Sequence, residues 1–205
     1  MMTSLPNLLT ISRIAVIPLV IATFYVDGHM ARWVACGLFV AAAVTDWFDG
    51  WLARQWNQVS NFGRFLDPIA DKLLVAAVLL MLAAFHRMSE ITYPAAVVIL
   101  LREILVSGLR EFLAELRVGM PVSRLAKWKT AIQLIAIPVL IVGDAGPAAV
   151  PVQAIGEGGL WAAAILTLIT GYDYLKAGLR HISAAPLASQ TVKDAPGVEP
   201  IRRLG

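Results

Sequence analysis

Charge is not spread along this chain. It is gathered into clusters separated by apolar runs of roughly 13–25 residues. A helix of about 20 apolar residues matches the hydrocarbon thickness of a bilayer, and in lipid every backbone polar group must be satisfied within the helix. The composition points the same way: 59% hydrophobic, 15% charged, mean hydropathy +0.73. A soluble domain is nearer half apolar and about a quarter charged. The reading is an all-α, polytopic membrane helical bundle, and it argues against a soluble enzyme or a nucleic-acid-binding protein. The net charge of +3 is small, and no nucleic-acid partner is expected from it.

Six transmembrane helices are expected, at about 5–26, 32–55, 62–86, 91–116, 123–143 and 157–180. Short connectors make neighbours antiparallel. The stretch "GDAGPAAVPVQAIGEGG" (143–159) reads as a loop, from its glycines and prolines. Residues 1–182 form the membrane domain, and residues 183–205, with Pro186, Pro196 and Pro200, read as a flexible tail. The first apolar run is long, contains Arg13 and is followed by no small-residue cleavage site, so it reads as a retained span; a signal anchor is the alternative. The single cysteine, Cys36, excludes an intramolecular disulfide.

Basic residues set the orientation. With both termini cytoplasmic, the outer loops carry only Arg32 and Arg87, and Arg102 falls within the fourth span. The other fourteen of the 17 lysines and arginines, Arg13 among them, lie at the inner end. Many of these need only be orientation signals. Arg110, Lys127 and Lys129 flank the fourth connection close to helix ends, where they could face the bundle.

Between the second and third apolar runs stands "TDWFDGWLARQWNQVSNFGRFLDPIADK" (45–72), with four aspartates where lipid should exclude them. The apolar run before Asp46 is too short to span, so the helix must continue through "DWFDGWLAR". Asp46 and Asp49 are then i,i+3, and Asp67 and Asp71 are i,i+4, each pair on one helical face. Two carboxylates about 5 Å apart repel by roughly 3 kcal/mol at an effective dielectric near 20. Four of them need cations, and an all-oxygen site suits Mg²⁺, then Mn²⁺ or Ca²⁺. Singly, Asp67 before Pro68 reads equally as a helix N-cap and Asp46 as an interfacial residue. Gly50 and Ala53 extend the Asp46/Asp49 face; they suit close approach of a flat ligand, or close helix packing. Arg54 can reach a phosphate or snorkel to head groups.

Written out, the stretch is Asp46-x2-Asp49-Gly50-x2-Ala53-Arg54-x8-Gly63-x3-Asp67-x3-Asp71. It resembles the signature of the CDP-alcohol phosphatidyltransferase family at every defined position. "LPNLLTISRIAVIP" (5–18), "LREILVSGLREFLAE" (101–115) and "AKWKTAIQLIAIP" (126–138) resemble the first, fourth and fifth spans of the branch that uses sn-glycerol 3-phosphate. The resemblance implies that Asp46, Asp49, Asp67 and Asp71 hold two divalent ions, Mg²⁺ or Mn²⁺, with Asp71 also the general base. It implies that Gly50, Ala53, Gly63, Arg54, Asn7 and Thr10 bind the CDP-lipid, and that Arg110, Lys127 and Lys129 bind the acceptor's phosphate. The implied substrates are CDP-diacylglycerol and sn-glycerol 3-phosphate. The implied setting is a bacterial inner membrane with the site on its cytoplasmic side and membrane lipids as surroundings. Homodimers are common in the family.

Other acceptors in the same family, phosphatidylglycerol or inositol phosphate, would suit the basic trio too. A divalent-cation transporter is the reading from another class, but it predicts acids spread near the midplane, and here they gather at one end. A non-catalytic scaffold would fit Trp47, Trp51, Trp56 and Trp128, which an interfacial aromatic belt explains anyway.

Overall fold

A computed structural model of the protein describes residues 5–55, 61–115, 119 and 123–184. Every regular element among them is helical: α1 (Leu5–Phe24), α2 (His29–Gln55), α3 (Asn61–Ala84), α4 (Tyr93–Glu115), α5 (Arg124–Val142) and α6 (Val152–Ala184). Short 3-10 turns precede α4 (Glu90–Thr92) and follow α5 (Gly143–Ala145). Among the described residues, three helical segments are long and apolar enough to cross a membrane: Glu90–Ala114, Arg124–Ala145 and Val152–Leu179. A shorter apolar stretch is Thr10–Phe24. Most of the expected tail, residues 185–205, lies outside the described residues.

The helices sort into two groups. α1 packs on α2 and α3, and α6 packs on α4 and α5; α2 meets α5 and α3 touches α4 and α5 to close the bundle. The seam is apolar, with Phe24, Phe39, Val78, Leu82, Ile99, Ile137, Leu140 and Leu160 all buried. The outside is apolar as well. Leu101, Ile104, Ile135, Ile165 and Leu168 are all exposed, a distribution that suits hydrocarbon rather than water as the solvent.

The expected loop over 143–159 is shorter than its glycines suggest, because α6 begins at Val152. Gly156 and Gly159 lie inside α6, where small residues let it approach α5. A Cβ at Gly156 would stand 2.7 Å from the Leu140 side chain and 3.2 Å from its backbone nitrogen. The start of α6 gains a polar clasp: Glu157 accepts hydrogen bonds from the Ser89 backbone nitrogen (2.7 Å), the Ser89 hydroxyl (2.6 Å) and Thr92 Oγ1 (3.1 Å).

The other turns have local causes. α5 stops at Gly143, whose φ of +49° favours glycine and whose missing side chain admits Arg32. Arg32 pairs with Asp144, and the Trp33 indole donates to the Ala145 carbonyl at 3.2 Å, tying α2 to that turn. After α3, His86 takes φ +50° while the Arg87 nitrogen returns to the Leu82 carbonyl at 2.9 Å, a six-to-one closure of the helix end. α2, with 27 residues, is about 40 Å long. It carries Asp46 to Arg54 without a break, as the short apolar run before Asp46 requires.

Candidate active site

The signature occupies the end of α2 and the start of α3, so both aspartate pairs lie at one end of the bundle. α3 begins at Asn61, well before Asp67, which settles the N-cap alternative: Asp67 and Pro68 are inside the helix. Asp49, Gly50, Ala53, Arg54, Gly63 and Asp67 lie on these helices and Asn7 on α1, but their side chains are outside the described residues. Asp46 and Asp71 are described, one on each helix. Asp46 keeps 41% of its side-chain surface, Asp71 is also exposed, and the two interact electrostatically.

α1 enters the site between them. Arg13, only 1% exposed, forms an ion pair with Asp46 and is within electrostatic reach of Asp71. Thr10, one turn earlier on the same face, is buried beside it. Sequence reasoning placed Arg13 with the orientation charges. Its actual role follows from helix packing: α1 lies against both α2 and α3, so an arginine on that face meets the signature acids. The available signal was an arginine inside an otherwise apolar run.

On the other side of Asp71 stand α4 and α5. Lys129 is buried and forms an ion pair with Glu103, which also lies 3.7 Å from Arg102. Arg102 donates to Thr170 Oγ1 of α6 at 3.1 Å and stands over the Tyr174 ring. This network joins three helices, and it accounts for the Arg102–Glu103 pair within a span. A buried ion pair is tolerated where further hydrogen bonds satisfy its members.

Two cavities flank this network. One, about 50 Å³, is lined by Asp71, Lys72, Glu103, Lys129, Thr130 and Gln133. The other, about 320 Å³, is lined by Lys72, Arg102, Glu103, Ser107, Arg110 and Glu111 among others. Lys72 and Glu103 border both. The basic trio expected from the sequence therefore divides. Lys129 faces the Asp71 cavity and Arg110 the larger one, while Lys127 is exposed and borders neither. Residues two apart on a helix point to opposite sides, so Lys127 and Lys129 cannot share a face. Lys72, Arg102, Glu103 and Gln133 were not anticipated as part of the site.

The donor set present suits a hard divalent cation. Asp46 and Asp71 offer solvent-accessible carboxylate oxygens on neighbouring helices, with no sulfur or imidazole beside them in the signature. Among the described residues no three acidic, histidine or cysteine side chains converge. Asp49 and Asp67, the other two expected ligands, are outside that set.

Comparison with known proteins agrees with this end of the molecule. The sequence model for CDP-alcohol phosphatidyltransferases matches residues 3–169. A protein of Rickettsia bellii is 52% identical over 85% of this chain and 94% of its own length. One of Pectobacterium atrosepticum is 43% identical over 87% and 96%, and one of Cereibacter sphaeroides 38% identical over 87% and 97%. All three bear the name CDP-diacylglycerol–glycerol-3-phosphate 3-phosphatidyltransferase. With a match across most of its length and relatives this similar end to end, the chain belongs to the CDP-alcohol phosphatidyltransferase family of membrane transferases.

Proposed function

We propose that this enzyme transfers the phosphatidyl group from CDP-diacylglycerol to sn-glycerol 3-phosphate, giving phosphatidylglycerophosphate and CMP. The observation that carries the reading is the sharing of one small cavity by the signature's last aspartate, Asp71, and the buried cation Lys129. A carboxylate that can take a hydroxyl proton thus stands beside a cation that can attract an anionic acceptor. The shared name of the relatives supports the choice of substrates.

Phosphoryl transfer asks a protein for in-line positioning and charge neutralisation more than for covalent chemistry. Asp46, Asp49, Asp67 and Asp71 would hold two Mg²⁺ or Mn²⁺ ions; such ions supply neutralisation of the diphosphate when bound. Gly50, Ala53 and Gly63 leave backbone open to the cytidine, and Asn7, Thr10 and Arg54 complete the CDP-lipid site. Arg110 and Lys129 attract the phosphate of the acceptor; Lys127 belongs to this set only as an outlying charge. Asp71 accepts the proton of the acceptor's 1-hydroxyl. That oxygen forms a bond to the lipid-side phosphorus, and the bond from that phosphorus to the CMP oxygen breaks.

The same reading makes all six helices membrane spans, with the signature end in the cytoplasm of a bacterium. It is supported by the concentration of lysine and arginine at that end. The test is CMP release from CDP-diacylglycerol by the purified protein with sn-glycerol 3-phosphate, compared with phosphatidylglycerol and inositol phosphate. Release confined to sn-glycerol 3-phosphate supports the reading; release confined to either of the others contradicts the acceptor.

A further inference from the structure

We infer that Arg13 of α1 is a fixed cation built into the metal site, one that weakens the hold on divalent ions and strengthens the hold on the diphosphate they receive. The inference rests on the metal and CDP-lipid reading above and adds a charge-setting residue to it.

Arg13 lies outside the signature but is carried to it by α1, which packs on both α2 and α3. Its side chain is 1% exposed, and its Nη1 pairs with Asp46 Oδ1. It also lies within electrostatic reach of Asp71 on the other signature helix. The pair does not enclose Asp46, whose side chain keeps 41% of its surface, so the carboxylate stays open to a second cation. A carboxylate has about four lone-pair sites on its two oxygens, and one guanidinium does not fill them. An apolar side chain would pack α1 here at no desolvation cost. An arginine buried in an apolar helix is costly, and such a charge marks function before architecture.

The charge count gives the effect. The four signature aspartates carry four negative charges, and two divalent ions balance them. Without a further cation the loaded site is neutral; with Arg13 it is positive when the diphosphate arrives. A charge buried this deeply is little screened by water or salt. Before the ions bind, it offsets part of the repulsion among the carboxylates. It then opposes each incoming ion and attracts the anionic ligand. Neighbouring cations are placed differently. Lys129 and Arg102 stand against Glu103. Lys72 is half-buried and borders the cavities on the α4 and α5 side. Arg13 is paired with a signature carboxylate itself.

The experiment measures two affinities on the full-length protein in detergent: that for Mn²⁺ alone, from the paramagnetic resonance signal of the free ion, and that for CDP with Mn²⁺ present, by calorimetry. The unmodified enzyme is compared with Arg13→Gln, which removes the charge, and Arg13→Lys, which keeps it. Arg13→Gln is expected to bind Mn²⁺ about tenfold or more tighter and CDP about tenfold or more weaker. Arg13→Lys is expected to hold both affinities near those of the unmodified enzyme. If Arg13→Gln does not fold, Arg13→Leu is read in the same way. The opposed signs separate charge from architecture, because a residue that only packs α1 would weaken both affinities when replaced. Loss of both, or no change in either, in a folded neutral variant would overturn the assignment and leave the metal reading standing. Failure of the unmodified enzyme to bind Mn²⁺ would overturn the metal reading and this assignment with it.

Discussion

Arg13 of α1 and Asp46 of α2 form an ion pair in which the guanidinium is 1% exposed and the carboxylate keeps 41% of its surface. The asymmetry sets the energetics. Removing the carboxylate takes an ion-pair partner from a buried cation; removing the arginine leaves an anion that water can reach. Asp46→Asn is therefore expected to lower stability more than Arg13→Leu. The cost is on the order of 2 kcal/mol, between that of exposed and fully buried pairs. Thermal unfolding in detergent with EDTA measures it, and a larger loss for Arg13→Leu would contradict this account of the pair.

Asp71 is exposed and lines a cavity, and on the proposed reading it is the general base. Asp71→Asn should fold normally and lose at least about 100-fold in kcat, the lower range for a general base. Matching melting temperatures with a collapsed rate check this. A loss of stability equal to that of a core substitution would point to a structural role.

Glu103 and Lys129 form a buried pair beside that cavity. Glu103→Leu strands the ammonium and should destabilise by about 3 kcal/mol. The double variant Glu103→Leu with Lys129→Met should recover most of that stability. Its KM for the acceptor should still rise, because the buried cation is gone. Melting curves and acceptor titrations on the two variants and the unmodified enzyme separate the two effects; recovery of acceptor affinity in the double variant would remove Lys129 from the binding set.

The close contact of α5 and α6 depends on Gly156, where even a methyl group meets Leu140 at 2.7 Å. Gly156→Val should cost about 1–3 kcal/mol as an overpacked contact, read as a lower melting temperature. Gly158, with nothing within 4 Å of its would-be Cβ, is the control position and should tolerate alanine.

How much of this was legible beforehand depends on range. Helix positions were legible from the apolar runs: α1 was expected over 5–26 and covers Leu5–Phe24, and α5 was expected over 123–143 and covers Arg124–Val142. The start of α6 was misplaced because glycine is ambiguous; Gly156 and Gly159 pack a helix against α5 rather than form a loop. That the signature acids fall at one end of two neighbouring helices was legible from their spacing and the apolar runs around them. The pairings of Arg13 and Glu103 were not, because their partners come from other helices and no spacing within one helix predicts which helix lies alongside. The equal treatment of Lys127 and Lys129 failed for a local reason: alternate residues of a helix face opposite ways, and only Lys129 is turned inward.

The measurement that tests the central claim most directly is CMP release from CDP-diacylglycerol and sn-glycerol 3-phosphate by the purified protein. It is run with EDTA, with Mg²⁺ and with Mn²⁺, and repeated for Asp71→Asn. The account predicts release that requires the acceptor and a divalent ion and that Asp71→Asn abolishes. Release that persists undiminished in EDTA, or in folded Asp71→Asn, would contradict it.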